Sequence, residues 1–153
     1  PMGGYGGALK QLSIGFASSH GKSYIHCVGN ENGTFEEMFQ VDQIKFLEAM
    51  ADAASSVHKT FQNHIVYINV MCNLSVDCDC CHVAEDPCMK DIGILASLDP
   101  IALDQACLDL VYQSDDEGKN HLIERIESRH GNHVVEAALE LNFGTNEYEL
   151  IEI

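Results

Sequence analysis

Basic residues are scarce in this chain. Eight lysines and arginines stand against 24 aspartates and glutamates, for a formal net charge of −16. That balance argues against binding nucleic acid or an anionic membrane surface through a basic patch. Most of the acids read as a solvated surface. Long apolar runs are also missing, and none approaches the ~20 residues needed to cross a bilayer. No signal peptide is readable. No internal repeat and no low-complexity tract is found. The P-loop pattern is absent, so Gly21 and Lys22 beside serines read as plain loop. The seven cysteines are odd in number and unevenly clustered, unlike a secreted disulfide framework. A reducing cytoplasm is the expected setting. What remains is ordinary: 46% hydrophobic and 21% charged residues suit a globular protein. The length suits one domain, residues 1–153.

The stretch that breaks this plainness is Asp77 to Cys88. It holds four of the seven cysteines, one of the eight histidines and four carboxylates in twelve residues. Thiolate and imidazole are soft or borderline ligands, suited to zinc, iron-sulfur clusters or copper(I). Cys78 and Cys80 point to the same side of an extended backbone. Pro87 forces a turn or extended segment that brings Cys88 back, so Cys78, Cys80, Cys81 and Cys88 are the candidate metal ligands, with His82 in reserve. The spacing C-x-C-C-x6-C matches neither the paired knuckles of a zinc ribbon nor the bacterial ferredoxin run. Redox or catalytic thiols are the competing reading. Asp77, Asp79, Glu85 and Asp86 lean towards a metal, because negative charge disfavours a free thiolate and a bound cation reverses that penalty. Cys27, Cys72 and Cys107 read as small buried hydrophobes.

The rest of the chain reads as alternating helices and strands. An amphipathic segment spans Ala8 to Phe16. Ser23 to Cys27 reads as a short strand, and Gly29 to Gly33 as a turn. Thr34 and Glu37 have capping-box spacing. Asp42 caps a long helix ending near Phe61. His58, near its apolar stripe, reads as a partly buried core histidine. His64 to Met71, apolar on both faces, reads as a central parallel strand. Ile92 to Ala96 is a second such strand. Asp99 and Pro100 stand at N-cap and N1 of a helix over Ile101 to Tyr112. Asp99 and Asp104 compensate that helix's dipole, or Asp99 faces the same crevice as the thiols. Asn120 to Arg129 is a helix, and Asn132 caps another reaching about Asn142. Tyr148 to Ile153 reads as a final edge strand. The fold class expected is α/β, a mostly parallel sheet flanked by helices.

Three phrases carry a family resemblance. One is Gly6 to Gly15, with Ser18 to Lys22 after it. Another is Asp77-Cys-Asp-Cys-Cys81. The most specific runs from Asp91 to Cys107, reading Asp-Ile-Gly-Ile-Leu-Ala-Ser-Leu-Asp-Pro-Ile-Ala-Leu-Asp-Gln-Ala-Cys. Together they resemble the C-terminal half of the bacterial family called domain of unknown function 362, often labelled uncharacterised iron-sulfur centre proteins. The resemblance covers nearly the whole chain. It implies an α/β fold with largely unassigned chemistry. Many members carry a two-cluster ferredoxin segment before the long helix. Here Tyr24 to Gln40 holds one cysteine and no such pattern. What carries over is Cys78 and Cys80 with Asp77 and Asp79, and the helix start from Asp99 to Asp104. The resemblance and the glycine-rich start after Pro1 imply the C-terminal portion of a longer protein, part of a larger domain whose N-terminal half is absent.

The function expected is a cytoplasmic metal- or iron-sulfur-binding protein with a redox link. Its cofactor would be an iron-sulfur cluster or zinc. Asp77, Asp79, His82, Asp99 and Asp104 would support the cofactor. Two other readings stay open: an enzyme with a strand-end active site using the same thiols and Asp99, and an interaction domain with a structural zinc. A homo-oligomer or the missing half, and a redox partner, are the expected associations. An apolar surface is expected where that half would pack.

Overall fold

The computed structural model describes residues 2–62, 64–78 and 81–153. The first helix, α1 (Ala8–Lys10), runs on into a π-helical turn, Gln11–Gly15. Next comes α2 (Ser19–His26), where a strand is expected from the sequence. The helix forms because the Ser18 hydroxyl accepts the Gly21 N–H at 3.1 Å, and Ile25 then turns into the core. Thr34 and Glu37 make the expected capping box. Thr34 N–H reaches Glu37 Oε2 at 2.8 Å, and Glu37 N–H reaches Thr34 Oγ1 at 3.3 Å. Only one 3-10 turn, Glu37–Phe39, follows.

Helix α3 (Gln43–Phe61) is capped by Asp42, which accepts the Lys45 N–H at 3.0 Å. Of the stripe expected from the sequence, Ile44, Leu47, Ala51, Ala54 and Val57 or His58, it buries Leu47, Ala51 and Ala54, and it buries Phe46 and Met50 beside them. His58 is half-buried, its Nδ1 2.8 Å from the Tyr67 hydroxyl. Helix α4 (Pro100–Gln113) is apolar on most of its circumference and is the most deeply buried element. Helices α5 (Lys119–Ser128) and α6 (His133–Glu140) complete the helical layer. Asn132 stands at the α6 N-cap, but its side chain donates to the Tyr112 hydroxyl at 3.3 Å instead of capping. Among the described residues no helix is long and apolar enough to cross a membrane.

The sheet differs from expectation. Strands β1 (Tyr67–Met71) and β2 (Gly93–Ser97) pair antiparallel, not parallel, with Tyr67 opposite Ser97 and Met71 opposite Gly93. A parallel pair needs a crossover, usually a helix. Among the described residues between these strands there is no helix, and Ile92 N–H closes the loop on Met71 O at 2.9 Å. The apolar run does not mean burial on both sides. Tyr67 and Met71 face α4 and the core, whereas Ile68 and Val70 face outward. The expected final strand over Tyr148 to Ile153 is unpaired and exposed. Its chain is held at its start by Asp99, which accepts the Thr145 N–H at 2.8 Å.

Candidate functional site

The site starts from a buried carboxylate. Asp104 of α4 is fully buried, yet all its contacts are donors. Its Oδ1 accepts the Ala8 N–H at 2.7 Å and the Asn69 amide at 2.8 Å. Its Oδ2 accepts the Leu9 N–H at 2.9 Å and the Tyr5 hydroxyl at 3.3 Å. The first N–H groups of a helix lack partners within it. Here a side chain from another helix caps α1, and Gly7 allows the approach. A Cβ on Gly7 would lie 2.6 Å from Asp104 Oδ1. Burial pushes the Asp104 carboxyl up from its usual range, against the four hydrogen bonds that pull it down. Burial and the Asp104 charge push the Tyr5 hydroxyl well up. Burial likewise raises the neighbouring Cys107 thiol to about 11, although the Asn69 amide donates to its sulfur at 3.4 Å. Cys107 therefore behaves as the small buried residue expected from the sequence.

This capping fixes where α1 points Lys10. Lys10 Nζ donates to Cys78 Sγ at 3.0 Å. A cation beside a sulfur favours its thiolate form. Tyr5, Lys10, Gln11, Asn69, Cys78 and Cys107 line a cavity of about 500 Å³, together with apolar groups such as Met71 and Leu122 and, at the cysteine-rich loop, the polar Asn73, Ser75 and Asp77. A second, larger groove of about 820 Å³ lies between α2 and α3 and is mostly apolar, with Phe16, Tyr24 and Val57 on its walls.

The cysteine-rich loop is held over the cavity by backbone and carboxylate clips. Val76 is buried beneath it. Arg125 Nη1 donates to Val76 O at 3.0 Å and to Asp77 Oδ1 at 3.3 Å. Asp77 Oδ2 accepts the Glu85 N–H at 3.1 Å. That backbone bond, with the Arg125 contact, holds the Asp77 carboxyl below its usual range. Asp77 thus closes the loop with both oxygens. Asn73 N–H reaches Asp91 Oδ1 at 2.8 Å, and Ser75 Oγ reaches Glu85 O at 2.8 Å.

Three of the four candidate ligands, Cys78, Cys81 and Cys88, lie among the described residues. Cys78 is half-buried at the cavity, and Cys81 is exposed. Their backbones are joined by one hydrogen bond, Cys81 N–H on Cys78 O at 2.8 Å. Cys88 turns back instead, its sulfur 3.4 Å from Leu74 O, and burial pushes its thiol up. His82 is exposed. Asp79 and Cys80 lie outside the described residues. Asp99 caps α4 as expected, with Oδ1 accepting the Ile101 and Ala102 N–H groups at 2.8 and 3.1 Å. It does not line the cavity that Cys78 lines. A zinc or iron-sulfur site needs about four ligands. The described residues link Cys78 and Cys81 through a backbone hydrogen bond, and among them no group of three His, Cys, Asp or Glu is placed to hold a metal. They do not fit such a group by themselves.

Tyr5, Lys10 and Asn69 are the site residues that the motif reading passes over. Asn69 carried a signal, as the one polar residue inside the apolar run Ile65 to Met71. Lys10 lies within the glycine-rich phrase of the family resemblance.

The model of the family described as Domain of unknown function (DUF362) matches residues 1–109, well over half of the 153. The chain belongs to that family. No curated protein matches it, and no solved structure does.

Proposed function

We propose that the chain works through Cys78 as a redox-linked thiol protein, acting on a substrate that enters the cavity between α1, β1 and α4. The observation that carries this reading is the Lys10 Nζ to Cys78 Sγ contact at 3.0 Å. A thiolate is the nucleophilic form of cysteine, and a fixed ammonium maintains it. Cys81, joined to Cys78 by a backbone hydrogen bond, supplies a second thiol at C-x-x-C spacing. In the proposed step the Cys78 thiolate attacks a substrate disulfide sulfur. The S–S bond breaks and one substrate thiolate leaves. The Cys81 thiolate then attacks Cys78 in the mixed disulfide and frees the second substrate thiol. Two electrons pass to the substrate, and a Cys78–Cys81 disulfide remains for a reducing partner to restore. Peptide-resolved alkylation of the reduced protein at neutral pH tests this. Cys78 should react faster than Cys88, and Lys10→Met should slow Cys78 several-fold without changing Cys81. Equal rates at Cys78 in parent and variant would count against the proposal.

A second reading keeps the metal. It is favoured by the backbone hydrogen bond between Cys81 and Cys78, because two cysteines at that spacing also make half of a zinc or iron-sulfur site. Metal analysis and visible absorbance of anaerobically purified protein separate the two. Stoichiometric zinc or iron, lost in Cys78→Ser, would favour the metal over the dithiol.

A further inference from the structure

The outward face of the β1–β2 hairpin carries three successive cross-strand rungs. In the ladder Ile68 stands opposite Ala96, and Val70 opposite Ile94. Continuing the register puts Val66 opposite Leu98. All six side chains are apolar, and the five large ones are between 59% and 69% exposed. The rungs span about 14 Å at roughly 3.4 Å per residue. None of the six is charged, in a chain whose net charge is −16. Apolar patches of this kind on a soluble surface mark an interface.

We propose that this face is the interface of a two-fold dimer of the chain. The middle rung decides the occupant. Ile68 is a protruding side chain, and Ala96 beside it leaves a hollow. A two-fold axis through that rung sets Ile68 of each copy over Ala96 of the other, so one surface fits itself. The two hairpins then stack as a small sandwich, with sheets about 10 Å apart. Five side chains expose roughly 500 Å² in each copy, so about 1,000 Å² would be buried in all, the low end for a specific interface. The dimer is therefore weak and concentration-dependent. The net charge of each copy opposes it, so screening by salt strengthens it. Ile68 and Val70 also border the cavity, so pairing would cover part of its rim.

Sedimentation equilibrium of the whole chain, at low and at high salt, tests the proposal. The expected result is a monomer–dimer equilibrium that shifts towards dimer as salt rises. Ile68→Asp, which places charge in the middle of the contact, and Ala96→Phe, which fills the hollow, should each leave monomer only. Thermal unfolding of both variants checks that they remain folded. Val83→Asp, at a side chain 83% exposed on the cysteine-rich loop, should dimerise like the parent. A monomer at every salt and concentration would overturn the proposal. So would open-ended aggregation, or equal dimerisation by parent, Ile68→Asp and Ala96→Phe. Binding of neutral lipid vesicles that Ile68→Asp abolishes, with no dimer in the parent, would assign the face to a lipid surface instead.

Discussion

The two faces of one hairpin behave in opposite ways. On the inner face, Tyr67, Asn69 and Met71 are all committed. Tyr67 bonds to His58, Asn69 to Asp104 and Cys107, and Met71 joins the core. On the outer face, Ile68, Val70, Ile94 and Leu98 stand exposed. The inner face includes Asn69, Gly93 and Ser97, and the more apolar face is the one left outside. Hydrophobicity alone therefore does not say which side of this strand is buried. The polar side chain does, because a buried amide needs partners and only the inner face supplies them.

That difference is open to substitution. The largest effect is expected at Asp104→Ala, which strips the acceptor shared by the Ala8 and Leu9 N–H groups, the Asn69 amide and the Tyr5 hydroxyl. Each orphaned buried donor costs about 1–3 kcal/mol, so the loss should be at least ~3 kcal/mol in urea unfolding. Tyr67→Phe removes one buried hydrogen bond and keeps the ring, for about 1 kcal/mol. Smaller still is a pH effect. Because burial holds the Asp104 carboxyl above its usual range, the folded state keeps this proton when the unfolded chain has released it. Stability from this group is then highest below the ordinary carboxylate range and falls as pH rises through the raised value. Asp104→Asn should be less stable overall but should lose this slope, as unfolding measured against pH would reveal. The smallest effect is at Ile68→Thr on the outer face, expected within about 0.5 kcal/mol for the monomer. If Ile68→Thr destabilises the monomer as much as Tyr67→Phe does, the contrast between the faces is wrong.

Much of the helical layer was legible in the sequence. Asp42, Thr34 with Glu37, and Asp99 with Pro100 announced their helix starts, because capping is local chemistry at fixed spacing. The strand pairing was not legible. Two apolar runs separated by a long polar loop fit either direction, and the decision rests on whether a helix fills the gap. The short segment at Ser23 to Cys27 went to helix because Ser18 supplied a cap several residues upstream. The cysteine-rich loop was found, but its internal order was not. Asp77 looked like a cofactor neighbour and is engaged by Arg125, 48 positions away. Lys10 meets Cys78 across 68 positions. Pairings over such distances follow from the packing of α1 and α5 on α4, which no local pattern encodes. Asp104 illustrates the same limit. At short range it reads as dipole compensation for its own helix, and in the fold it caps another.

The central claim is that Lys10 holds Cys78 as a thiolate. The most direct measurement is the ultraviolet thiolate absorbance of reduced, metal-free protein at neutral pH, compared among the parent, Cys78→Ser and Lys10→Met. The account predicts close to one thiolate in the parent, absent in Cys78→Ser and largely lost in Lys10→Met. A parent without thiolate at neutral pH, or a Lys10→Met variant with as much as the parent, would contradict it.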